Sequence, residues 1–224
     1  MSIEFKGSHF ERDVILWGVR WYVAYPISYR QLEELMEERG VEVDHSTLSR
    51  WVLKYAPLLE KEFRAHKRPV GRSWRMNETY VKVKRVWKYL YRAVDKAGAT
   101  VDLLLTAKRD RKAALRFLRK AFGQHGKPEK ITIDKSGANT VAIEGYNAEH
   151  KAGIEIRQIK YLNNIVEQDH RAIKRMVQSM LAFKSFRSAV ATLDGIELMH
   201  MIRKGQLRTT GELRPAQQFY SLAW

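Results

Sequence analysis

The sequence predicts two domains of different class. Residues 1–68 read as all-α, and residues 69–207 as α/β, with a mixed sheet in which three antiparallel strands come before alternating helices and strands; the tail, 208–224, takes no assignment. Three observations lead there. Apolar residues recur at helical spacing as far as Tyr55, and from Glu78 they form short β-like runs. Residues 1–68 hold 11 Lys+Arg against 11 Asp+Glu, whereas 69–224 hold 30 against 14 and so carry the whole net charge of +16. The turn-like stretch Arg68-Pro69-Val70-Gly71-Arg72-Ser73 falls where both patterns change.

In the first domain, Ser8-His9-Phe10-Glu11 has the spacing of a capping box, opening a helix over about 9–24 that Pro26 stops. Ser28-Tyr29-Arg30-Gln31 repeats the spacing and opens a second helix to about Arg39, with Leu32, Leu35 and Met36 on one stripe and Gly40 at its end. Asp44 is the N-cap expected for a third helix, whose Leu48, Trp51, Val52 and Tyr55 face inward. Its other face shows Ser46, Thr47, Ser49, Arg50 and Lys54. Helix, tight turn and helix with a small-polar and basic outer face predict a helix-turn-helix, with those five residues placed for DNA phosphate and base edges. A plain three-helix bundle with a solvated face fits the same pattern. The second helix is acidic (Glu33, Glu34, Glu37, Glu38) and should face away from phosphate.

In the second domain, Tyr80–Val83, Val86–Val94 and Thr100–Leu105 read as a meander. Lys84-Arg85 sits at its first turn, where Gly is preferred. A helix near 110–122, a strand at 130–134, a helix near 138–151, a strand at 154–159 and a long helix from about 163 to 181 follow, and the segment Phe183–Leu207 also reads as helical, packing on the core or forming a dimer contact. This order is that of the RNase H-like fold, in which the first strand, the fourth strand and a later helix bring three carboxylates together.

Asn77, Asp134 and Glu167 occupy those three places, with 32 residues between the last two. Phosphodiester transfer uses two divalent cations, one on the attacking oxygen and one on the leaving oxygen. Hard cations such as Mg²⁺ or Mn²⁺ select carboxylate oxygens. Asp134 ends an apolar strand, and Glu167 has Arg171 and Lys174 at i+4 and i+7, cations suited to phosphate. Taken singly, Asp134 also suits a strand-ending turn, and Glu167 a surface acid paired with Arg171. Asp169 rivals Glu167 but points elsewhere on the helix, and His170 falls on the apolar stripe.

Composition narrows the class. A pI near 10.0 favours a polyanion partner, nucleic acid first. The absence of cysteine excludes disulfides and thiolate metal sites. With no apolar signal core at the start and no membrane-length apolar run, a cytoplasmic protein is expected.

Longer stretches carry a resemblance. Phe5-Lys6-Gly7-Ser8-His9-Phe10, Ile15-Leu16-Trp17-Gly18-Val19-Arg20-Trp21-Tyr22, Val43-Asp44-His45-Ser46-Thr47-Leu48-Ser49-Arg50-Trp51-Val52, Trp74-Arg75-Met76-Asn77-Glu78-Thr79-Tyr80-Val81-Lys82-Val83, Tyr89-Leu90-Tyr91-Arg92-Ala93-Val94-Asp95 and Arg157–His170 together resemble the DDE transposases of bacterial insertion sequences, specifically the insertion-sequence six family. The resemblance spans about Phe5 to Leu207. It implies a helix-turn-helix that binds terminal inverted repeats, an RNase H-like core with Asp-Asp-Glu ligands, a two-metal site for Mg²⁺ or Mn²⁺, double-stranded DNA as partner (inverted repeats and target), and a homo-oligomer, dimer or higher. The second Asp and the Glu map onto Asp134 and Glu167; the first Asp maps onto Asn77, where this chain departs from the pattern. A neutral amide there weakens metal binding, and little or no strand transfer is expected. Two functions follow: a metal-dependent transposase, or a catalytically silent DNA-binding protein of the same ancestry. A nuclease or integrase on the same fold is a third.

Overall fold

The computed structural model describes residues 3–5, 9–135, 137–180, 183–209 and 211–224. Its chain divides into two compact units: residues 1–68 together with 173–224, and residues 69–172.

The first unit is helical. Helix α1 (Arg12–Ala24) starts later than the capping-box spacing predicts: Glu11 is its N-cap and makes no side-chain cap bond. Ser8 lies outside the described residues. Helix α2 (Tyr29–Glu37) has the expected box, with the Gln31 N–H donating to Ser28 Oγ and the Ser28 N–H to Gln31 Oε1. Helix α3 (His45–Ala65) is capped by Asp44 and runs on through Pro57. The chain then leaves this unit, and the helices that complete it come later in sequence.

Those later helices are α7 (Phe186–Arg203) and α8 (Pro215–Ser221), numbered in chain order. Helix α7 packs on α3 and α1, so the segment expected to end the α/β domain belongs instead to the helical unit, and the unassigned tail supplies α8. The reason is close packing. A Cβ added at Gly195 would lie 2.6 Å from Val23 Cγ1 and 3.0 Å from Ala56 Cβ. Only a residue without a side chain lets α7 approach α1 and α3 this closely. Gly195→Ala gains about 1 kcal/mol of helix propensity but overpacks a buried site at a cost of about 1–3 kcal/mol. A lower thermal midpoint is therefore expected, with partial recovery on adding Val23→Ala; an unchanged or raised midpoint would refute the close-packing account.

The second unit is α/β. Strands β1 (Ser73–Val83), β2 (Val86–Asp95) and β3 (Thr100–Thr106) form the predicted meander. Helix α4 (Arg111–His125), strand β4 (Lys130–Thr132), helix α5 (Gly137–His150) and strand β5 (Glu155–Arg157) follow. A 3-10 turn (Lys160–Asn163) leads into α6 (Asn164–Ser179), which continues past Ala172. The sheet order is β3-β2-β1-β4-β5, with β4 parallel to both β1 and β5. This is the RNase H-like arrangement. The two parallel strands are shorter than predicted, although the Ile133 N–H still donates to Arg157 O at 2.9 Å.

Alternation divides the sheet into two faces. Trp74, Met76, Tyr91, Ala93, Ile131 and Ile133 join α4 and α5 residues such as Phe117 and Ile143 in the core. Arg75, Asn77, Arg92 and Thr132 fall on the opposite face by the register.

The β1–β2 turn has two residues, and both have positive φ: Lys84 at 49° and Arg85 at 64°. Each side chain is strained there, by roughly 1–2 kcal/mol. Arg85→Gly is expected to raise stability by about 1 kcal/mol; a denaturation midpoint that falls would contradict it.

Candidate catalytic and nucleic-acid sites

Strand β1 places Asn77, and the segment leaving β4 carries Asp134. The two strands pair in parallel with Arg75 opposite Thr132. Asn77 follows two residues after Arg75 within β1, and Asp134 two residues after Thr132, past the end of β4. Glu167 sits in the first turn of α6. Helix α6 is tied to the same sheet face, because Asp169 Oδ2 meets Arg92 Nη2 at 3.1 Å and Arg92 is the cross-strand partner of Asn77. All three predicted positions therefore belong to the α/β unit. Asp169 points into that ion pair, away from the role of rival ligand, and His170 is buried as its place on the stripe predicts.

The donors are partly engaged. Asn77 Oδ1 accepts the Glu78 N–H at 2.8 Å. Asp134 lies 3.9 Å from Arg109 Nη2. Arg109 also pairs with Glu78, whose side chain is only 3% exposed and whose Oε2 accepts from Asn139 Nδ2 at 3.0 Å. Burial opposes the charge on Arg109, but the Glu78 carboxylate, with Asp134 and Tyr80 adding to it, holds the guanidinium above its ordinary pKa. Glu78 thus serves the α5 side and does not replace the missing acid. Among the described residues no cluster of three or more His, Cys, Asp or Glu is placed to hold a metal ion. Two carboxylates and a neutral amide already bonded to its own backbone do not fit a paired-dication centre.

Sequence reasoning missed Arg109, Glu78 and Asn139 as a linked group. Arg109 lies in the charged run Lys108-Arg109-Asp110-Arg111-Lys112, at the start of the helix expected near 110–122, and its partner is 31 residues away, beyond any local periodicity.

The predicted DNA-reading face of α3 is more occupied than its pattern suggests. Ser46 Oγ and Thr47 Oγ1 both donate to the Asp44 carboxylate, the latter at 2.6 Å, and Arg50 Nη2 donates to Thr47 Oγ1 at 2.6 Å. Those hydroxyls hold Asp44 well below the usual carboxylate range. Ser49 is half-buried and hydrogen-bonds Tyr29, so it faces the bundle, a correction to its predicted outward role. Lys54 is exposed, with Nζ 4.8 Å from the Tyr55 ring centroid. On α6, Arg171 and Lys174 are exposed. No helix among the described residues is long and apolar enough to cross a membrane.

Comparisons with known proteins give the family. A family model described as a DDE domain, of the IS240 transposase type, matches residues 71–206. The transposase for insertion sequence-like element IS431mec of Staphylococcus aureus is 38% identical over 206 residues, covering 92% of this chain and 91% of the relative. The transposase for insertion sequence element IS257 in transposon Tn4003, also of Staphylococcus aureus, matches with the same identity and coverage. A solved structure of the HTLV-2 integrase catalytic core domain in complex with magnesium (dimeric form) aligns with a TM-score of 0.48 at 17% identity, over 68% of this chain and 99% of that one.

Proposed function

Given that this chain belongs to the DDE transposases of the insertion-sequence six family, we propose that it binds the terminal inverted repeats of its own element and that Asn77 cripples its DNA strand-transfer step. One observation carries the reading. Asn77 lies on the sheet face to which the Asp169–Arg92 pair ties α6, the helix that bears Glu167, and its side-chain oxygen is neutral and bonded to the adjacent N–H. In this reading Asp134 and Glu167 are the two remaining ligands and Asn77 is the degraded third. Arg171 and Lys174, beside Glu167 on α6, are the cations for DNA phosphates.

The helical unit is the end-binding part. Arg50 and Lys54 carry its outward charge, and the Asp44–Ser46–Thr47 network positions Arg50 through Thr47. The charge excess supports a polyanion partner. The alternative, a silent DNA-binding protein that occupies inverted repeats, differs only in whether any chemistry remains. The test runs strand transfer on DNA ends bearing the inverted repeats that flank the coding region, with the parent chain and Asn77→Asp side by side in Mg²⁺ and in Mn²⁺. Product from Asn77→Asp alone is the expected result. Product from the parent at a similar rate would defeat the impairment, and product from neither would defeat the enzyme.

A further inference from the structure

A second site lies on the same sheet face as Asn77, toward the start of the strands. A recess of about 870 Å³ is lined by Arg72, Arg75, Lys96, Lys130 and Arg157, with Tyr161 among its walls. By register Arg75, Thr132 and Arg157 form a row across three strands, β1, β4 and β5. Arg75 is only 7% exposed, and its Nε and Nη1 have no hydrogen-bond partner among the described residues. A buried cation without a counter-charge is costly, and it is kept where an anion arrives to meet it.

The acids nearby are committed elsewhere. Asp95 accepts from the backbone N–H groups of Gly71, Ala97 and Ala99. Glu129 faces Arg72 at 3.5 Å, and Glu155 takes Arg157 at 2.7 Å and Lys130 at 3.8 Å. Five cations against two acids line the recess. Tyr161 is 69% exposed and gives it an aromatic wall.

We propose that this recess binds a phosphodiester of an unpaired DNA strand, with Arg75 and Arg157 on the phosphate and Tyr161 stacked on the adjoining base. Duplex backbone is met by cations on an open surface, whereas a guanidinium at the floor of a recess is reached by a strand whose bases are free to splay. Arg75 and Asn77 are two residues apart on one strand face, roughly 6.6 Å, so a strand lying over Asn77 continues into the recess. The inference rests on reading the chain as DNA-binding and adds what that site grips.

Fluorescence anisotropy with the full chain tests it, using a labelled single-stranded oligonucleotide and the matching blunt duplex across a salt series. Arg75→Gln is expected to weaken single-strand binding about tenfold and to lower the salt slope by about 0.7. Tyr161→Ala is expected to weaken it about five- to tenfold, while Tyr161→Phe matches the parent. Lys112→Gln, an exposed cation of α4, is the charge-matched control. Unchanged binding in a folded Arg75→Gln chain, equal losses on blunt duplex, or no single-strand binding by the parent would each overturn the site. If Arg75→Gln does not fold, the Tyr161 pair decides, and full affinity in Tyr161→Ala overturns it. Failure of Asn77→Asp in strand transfer, with Arg75-dependent binding intact, would sink the enzyme reading alone.

Discussion

Asn77→Asp is expected to raise strand-transfer activity by at least about a hundredfold over the parent chain, since metal-held charge in phosphoryl transfer contributes several kcal/mol. The substitution is isosteric. It keeps an oxygen to accept the Glu78 N–H now bonded to Asn77 Oδ1, and it adds a charge beside Asp134. In the proposed site three carboxylates would then be offered to divalent metal where the parent offers two and an amide. The gain should vanish when Asp134→Asn is added, because both acids serve one centre. A binding readout separates metal capture from turnover: Mg²⁺ or Mn²⁺ should raise the thermal midpoint of the Asn77→Asp chain more than that of the parent, and chelation should remove the difference. Equal shifts in both chains, with equal activity, would mean that residue 77 holds no metal.

The second large effect is on stability. Arg92 is fully buried, and its Nη2 meets Asp169 Oδ2 at 3.1 Å, with the Asp169 side chain 12% exposed. Asp169→Asn leaves a buried guanidinium without its carboxylate, and such losses cost about 3–5 kcal/mol. Helix α6 would loosen from the sheet and take Glu167 with it. The double variant Arg92→Met with Asp169→Leu should recover much of the loss, since an apolar pair of similar size removes both charges together. Urea denaturation measures both. A change under about 0.5 kcal/mol for Asp169→Asn would show that this pair does not anchor the helix.

Much of this was legible in the sequence because the signals are local. The Ser28–Gln31 box, the Asp44 cap and the three-strand meander each depend on residues within a few positions, and each forms. The places of Asn77, Asp134 and Glu167 followed from element order, and β1, β4 and α6 form in that order. What stayed hidden depends on partners far apart in sequence. Gly195 reads as a weak point in a helix until Val23 and Ala56 are found against it. Glu78 reads as a surface strand residue until Arg109 and Asn139 close over it. Ser49 reads as outward until Tyr29 claims it. Arg75, flanked by two core residues, gave no sign that its charge would be buried without a counter-ion.

The helical unit is split, its two parts bracketing residues 69–172. During synthesis the ribosome therefore releases α1, α2 and α3 long before α7 exists to cover them. The α/β unit, continuous in the chain, has all its residues available first, and in vectorial folding a contiguous segment matures as it emerges. End recognition, which the helical unit is proposed to supply, thus becomes available only after α7 has been made.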